Sequence, residues 1–192
     1  MSSIVWAVER TRLDPGTIAL ERARARAPEG TVVKGWGAPR GALIFSVVLR
    51  PKRGLVLPLL APMATFCASE GVRKDTGIIT WIRWPDKVVT GGKVVATTSV
   101  AIEQGTDDCW AVLNFRVNIR RVRRAGSTSL EELLGVVVES DLLLSKILDS
   151  LSWMHSGWVK EMYPQILKRI SSMQEDPGST VVMGSEGTLT IH

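Results

Sequence analysis

The chain has 192 residues, 45% of them hydrophobic and 22% charged, enough for a sizeable core in a globular protein of ordinary composition. A net charge of +5 favours acidic partners without naming one. No basic segment leads into an apolar run and cleavage site, and the apolar run over residues 55–64 is proline-broken and too short for a bilayer, so neither a secretory leader nor a membrane span is expected. Cys67 and Cys109 sit in apolar surroundings and read as two buried free thiols of a reducing, cytoplasmic setting. Two cysteines and two histidines at scattered positions are too few for a zinc site.

Residues 4–8 read as a first strand. Asp14-Pro15 offers an N-cap with proline at the first helical position, which predicts a helix over residues 18–27 with arginines on its wet face. Residues 31–34 and 42–50 are the next strands, the latter mostly apolar and therefore central. Residues 57–70 are apolar on all sides, predicting a buried helix with Pro58 in its first turn, a kink at Pro62 and an end at Gly71. Residues 78–84, 88–90 and 93–102 predict three strands; Pro85 stops the first, and the Gly91-Gly92 turn joins the other two.

Residues 109–119 form another strand, and Ser129-Leu130-Glu131-Glu132 is a capping box opening a short helix that Gly135 closes. The stripe Leu144, Ile147, Leu148, Leu151 and Met154 predicts a helix over residues 141–162, with His155 packed on its apolar side; residues 164–173 form a further helix. Residues 180–183 and 188–191 flank Ser185-Glu186-Gly187 as a last hairpin. The pattern is α+β, a mixed and largely antiparallel sheet flanked by helices.

One stretch concentrates chemistry. Pro85 leaves Arg83, Asp86 and Lys87 at a strand end, and Lys93 returns beside them where the hairpin closes, near Trp81 and Trp84. Cations and a carboxylate beside two tryptophans suit an anionic ligand with a planar part. A plainer reading stands beside this one: Lys93 as a solvated turn lysine, Arg83 as a strand-end arginine paired with Asp86, and the tryptophans as core. The basic run Arg120-Arg121-Val122-Arg123-Arg124 is either a solvated turn or a surface for an acidic acceptor domain or nucleic acid.

Arg83-Trp84-Pro85-Asp86-Lys87, followed by Gly92-Lys93-Val94-Val95-Ala96, resembles the Lys-Trp-Pro-Asn-Asp … Lys-Ile-Ala-Gly signature of biotin protein ligases. Trp36-Gly37-Ala38-Pro39-Arg40-Gly41-Ala42-Leu43-Ile44-Phe45-Ser46 is similar to that family's Trp-x-Ser-Pro-x-Gly-x-Leu-x-x-Ser, and Thr128-Ser129-Leu130 with Gly135 to its Thr-Ser-Leu … Gly. Asn114-Phe115-Arg116-Val117-Asn118 stands at the Gly-x-Gly-x-Asn strand and keeps only the asparagine. Other departures are as concrete. Where the family carries a Gly-Arg-Gly-Arg-x-Gly-Arg loop, only Lys34-Gly35 separate Val33 from Trp36, and Asp14-Pro15-Gly16-Thr17 stands where a Ser-Thr-Asn is usual.

The resemblance implies the catalytic fold shared by class II synthetases and biotin/lipoate ligases over residues 1–174. Residues 175–192 would be a remnant hairpin of the family's C-terminal β-barrel. It also implies ATP-dependent activation of a biotin-type carboxylate and transfer to a lysine of an acceptor protein domain, in a homodimer. Lys93 and Arg83 would then be the catalytic cations, Trp36, Trp84, Asp86 and Asn118 ligand-binding residues, and Asp86 the carboxylate toward Mg²⁺. Loss of the Gly/Arg-rich loop removes a lid, and a reactive acyl-adenylate survives only where water is excluded. Weak or lost activity, a pseudoenzyme, is the expectation.

Overall fold

The computed structural model describes residues 4–36, 41–52, 54–105, 108–120, 124–184 and 187–191. Strands β1 (Ala7–Thr11), β2 (Thr31–Gly35), β3 (Ala42–Leu49), β4 (Trp81–Arg83), β5 (Lys87–Thr90), β6 (Lys93–Gln104) and β7 (Cys109–Asn118) make one sheet in the order β1-β2-β3-β7-β6-β5-β4. Only β1 and β2 run parallel; the other pairs are antiparallel, giving the mixed, largely antiparallel sheet expected. The apolar strands β3 and β7 lie at its centre, where both faces are covered for much of their length.

β1 begins later than its apolar residues suggest. Ile4 and Trp6 pack on the core ahead of the strand, with Trp6 Nε1 donating to Ser152 Oγ at 2.7 Å, and the polar run behind them forms the sheet edge. Residues 78–80 likewise stay outside β4, where buried Thr80 shares a 2.8 Å hydrogen bond with Ser69.

Five helices cover the two faces: α1 (Pro15–Arg24), α2 (Leu60–Thr76), α3 (Leu130–Leu134), α4 (Ser140–Val159) and α5 (Tyr163–Ser171). α2 and α4 pack on one face with Phe45, Leu113, Phe115 and Val117 in a single core cluster, while α1 covers part of the other face through Ala19 and Ala23. Asp14 caps α1 as expected, its Oδ2 accepting from Thr17 N at 2.8 Å. The capping box of α3 is present, and Gly135 ends it at φ 71°.

α2 departs from expectation. A 3₁₀ turn holds Pro58, Pro62 lies in the first helical turn where no N–H bond is lost, and the helix runs through Gly71 to Gly77, whose φ is 74°. Gly71 is a packing glycine: a Cβ there would lie 2.9 Å from both Cα and N of Ile147 on α4. Cys67 is fully buried, whereas Cys109 is only half-buried and so corrects the reading of two buried thiols. β8 (Val181–Met183) and β9 (Leu189–Ile191) pair with each other, and Val181 and Leu189 rest on the main core. These are the only strands after α5 among the described residues and close no barrel; Ser185 and Glu186 of the expected turn lie outside them.

Candidate functional site

α1 covers the outer face only over Val33, Val48, Trp110 and Val112. Beyond its N-terminus the sheet is open, because β3, β6 and β7 place polar residues at alternate positions there. Ser46, Asn114 and Ser99 lie in one cross-strand row. Ser46 Oγ donates to Asn114 Oδ1 at 2.7 Å, and Asn114 Nδ2 donates to Ser99 Oγ at 3.2 Å. One step along, Ile44, Arg116, Thr97, Lys87 and Arg83 form the next row, on the same face by the two-residue alternation of strands.

Gly16 lets the first turn of α1 approach this floor, since a Cβ there would stand 3.1 Å from Asn114 Oδ1. Ile44, Ser46, Thr97, Ser99, Asn114 and Arg116 from these rows line a cleft of about 530 Å³ together with Gly16, Thr17 and Asp86, whereas Arg83 and Lys87 do not reach it. The Asp14 carboxylate is taken up by Thr17, through its backbone N–H and its hydroxyl.

The predicted site residues are distributed unevenly around this cleft. Asp86 lines it, and its carbonyl accepts from Thr98 N at 2.9 Å, pinning the β4–β5 turn to β6. Arg83 donates to both oxygens of Glu175, at 2.6 and 2.8 Å, and to the carbonyl of Gly92 at 3.3 Å. The hairpin turn therefore closes beside Arg83 as predicted, but Glu175 rather than Asp86 is its ion-pair partner. The hydrogen bond from Arg83, more than the charge itself, holds Glu175 below the usual carboxylate range.

Lys93 is exposed at the start of β6 and does not line the cleft. Trp84 is half-buried against the main core. Asn118 is buried, its Nδ2 donating to the Thr128 carbonyl at 3.2 Å and weakly to that of Val94 at 3.5 Å, so it ties the end of β7 to its neighbours.

Trp36 is 55% exposed and lines a second, smaller cavity of about 220 Å³ beside the first, with Ile44 common to both. Lys34, noted in the sequence only as one of the two residues left in place of the loop, lies under it at 7% exposure. Its ammonium bonds the Asp141 carboxylate and, at 3.3 Å, the Ser140 hydroxyl at the start of α4. That hydrogen bond and the charges of Lys34 and Arg10 hold Asp141 below the ordinary carboxylate range against the opposing effect of burial.

His155 is packed as predicted, with Nε2 3.2 Å from Glu29. Of the basic run, residues 121–123 lie outside the described residues; Arg120 Nε stands 3.8 Å from Glu131, and Arg124 is exposed. Among the described residues no cluster of three His, Cys, Asp or Glu side chains could hold a metal.

No protein-family model and no curated protein matches the sequence. Solved structures do match. A biotin protein ligase R40G mutant from Aquifex aeolicus in complex with biotin superposes at a TM-score of 0.70 and 19% identity, over 96% of this chain and 94% of that one. A biotin protein ligase-like protein of unknown function from Silicibacter sp. matches at a TM-score of 0.77 and 16% identity, over 96% and 84% of the two chains. The biotin protein ligase from Leishmania major in complex with biotin gives 0.65 and 16%, over 97% and 93%.

The fold is that of the biotin protein ligases. On this biotin protein ligase fold, the open face of the sheet holds a cleft that supplies hydrogen-bond donors and one exposed cation, Arg116, while Arg83 and Lys93, the cations of the hairpin, are respectively neutralised and solvated. Among the described residues Arg116 is the one basic residue that lines it, so no pair of free cations meets there.

Proposed function

We propose that the chain is a divergent biotin protein ligase-like protein. It binds a small carboxylic acid in the sheet-face cleft, and its ATP-dependent ligase activity is weak or lost. The observation that carries this reading is the cleft itself, set on a fold shared along nearly the full chain with biotin protein ligases. One solved structure of that fold is described as holding biotin and ATP, and another as holding biotinylated ATP.

Support for weak activity comes from charge. Joining a carboxylate to an α-phosphate brings two anions together and needs fixed cations aimed at the charge that develops. Arg83 is engaged by Glu175, and Lys93 stands outside the cleft. β2 ends at Gly35 and β3 begins at Ala42, and the shortness of that connection supports the absence of a Gly/Arg-rich lid.

The residues present do not hold Mg²⁺ by themselves: of the two carboxylates lining the cleft Asp14 is taken up by Thr17, which leaves Asp86 alone, and a single carboxylate would hold the ion only with substrate phosphates completing the shell. An acceptor protein domain, a homodimer and a cytoplasmic setting accompany the reading as partners and place; no helix of the described residues is long and apolar enough to cross a membrane.

Calorimetry tests the binding half. Biotin, ATP and biotinyl-adenylate are expected to give weak heats that saturate, and no heat from any of the three at millimolar concentration would remove the reading.

A further inference from the structure

The second row of the open face continues past the cleft as a line of charge. Arg116 and Thr97 line the cleft, and Lys87 and Arg83 follow them across β5 and β4 on the same face. Arg83 and Lys87 stand directly opposite each other, and like charges so placed destabilise a strand pair unless an anion offsets them. Lys87 and Arg116 are exposed, and among the described residues neither has an ion-pair partner. Arg83 lies three strand spacings from Arg116, about 14 Å.

Glu175 supplies the offsetting anion. Its two carboxylate oxygens accept from Arg83 Nε and Nη2 at 2.6 and 2.8 Å. Backbone bonds bring it there. The segment after α5 docks on the outer edge of β4, with Ile82 N donating to the Met173 carbonyl at 2.6 Å and Glu175 N donating to the Ile82 carbonyl at 2.8 Å. Buried Gln174 anchors the segment between them, its Nε2 donating to the Ile170 carbonyl at 3.1 Å. A carboxylate held in this way competes with dissolved anions at an effective concentration on the order of millimolar or above. The Arg83 and Glu175 side chains keep 43% and 32% exposure, so a dissolved anion can reach the contact.

Resting on the reading that this face of the sheet binds an acid, we propose that Glu175 is an internal occupant that holds its affinity down. The carboxylate fills the end of a row, Arg116, Lys87 and Arg83, that would otherwise take a multiply charged anion of the polyphosphate class. Removing it returns a guanidinium fork to the row, while the backbone bonds that dock the segment stay. Asp86, in the turn between Arg83 and Lys87, offsets one of the three cations and leaves the row net positive.

Calorimetry of inorganic tripolyphosphate with the full chain at low salt is the test. Glu175→Gln is expected to tighten binding roughly tenfold, the effect of freeing one charged hydrogen-bonding group. Glu175→Ala, which also keeps the backbone bonds, is expected to do the same, and adding Arg83→Gln to either is expected to abolish the gain. Asp176→Asn removes an exposed charge from the next residue and is expected to change affinity by less than about twofold, because only screened long-range charge is lost. No gain in either Glu175 variant overturns the inference, as does an equal gain in Asp176→Asn or a gain that survives Arg83→Gln. Saturable biotin heat from the parent with no tripolyphosphate gain overturns this inference alone. No heat from biotin, ATP or biotinyl-adenylate with the parent removes the reading beneath it.

Discussion

Gly71→Ala and Gly157→Ala put the same methyl group into two buried helices and should move stability in opposite directions. In an isolated helix each change gains about 1 kcal/mol. At Gly157 the new Cβ would meet Ile166 side-chain carbons at 3.6 and 3.7 Å, an ordinary contact, so the gain survives. At Gly71 it would lie 2.4 Å from Ile147 Cγ1 and 2.9 Å from Ile147 Cα and N. A side-chain carbon can rotate away, but the backbone of α4 can yield only if the helix shifts. Overpacking that pushes on backbone falls in the upper part of the usual range, about 2–3 kcal/mol, which leaves Gly71→Ala net destabilising by about 1–2 kcal/mol. For a chain of this length that is a fall in Tm of roughly 2–8 °C, against a rise of roughly 2–4 °C for Gly157→Ala. Calorimetric melting of the two variants beside the parent decides it. If the two Tm values move the same way, the close α2–α4 contact is not as described.

Glu29 gives a pH dependence. Burial pushes its carboxyl up, but hydrogen bonds from His155 and the Arg50 backbone N–H outweigh that and leave it below the usual range. Its contribution is therefore fully present above the unfolded carboxylate value of about 4.3 and is lost as pH falls through the lower folded value. Urea titrations should show Glu29→Gln less stable than the parent at neutral pH, with the gap narrowing as pH falls below the unfolded carboxylate value of about 4.3; a gap independent of pH would contradict this. Asp141→Asn strands the buried Lys34 ammonium and should cost about 1–3 kcal/mol in denaturant midpoints, much of it recovered by adding Lys34→Met. No recovery in the double variant would mean that the pair is not what Asp141 contributes. Ser129→Ala should lose about 1 kcal/mol by removing the α3 cap, and an unchanged midpoint would show that α3 adds nothing to global stability.

Local signals in the sequence were legible where local chemistry decides the structure. Asp14 before Pro15, Ser129 three residues before Glu132, and the Gly91-Gly92 turn each occupy the predicted place because a cap or a turn needs only its own few residues. The end of α2 was not, because Gly71 answers to Ile147 on another helix rather than to its own. The site was legible in part. The strand-end hairpin lies beside Arg83 as read, yet Arg83 turns to Glu175, a partner far along the chain that no spacing reveals. The cleft floor is built from single polar residues on β3, β6 and β7 that meet only once the register is set. Their signal was available as Ser46, Asn114 and Arg116 interrupting otherwise apolar strands, each an expensive choice unless the face is open.

The proposed binding cleft lies on the open face of the sheet, while Arg83 is engaged by Glu175 and Lys93 lies outside the cleft. Pyrophosphate release on mixing the protein with ATP and saturating biotin measures this most directly. The expected result is a rate at or near that of ATP alone. Sustained, biotin-dependent release would contradict it, because it would require Arg83 or Lys93 to reach the reacting phosphate after all.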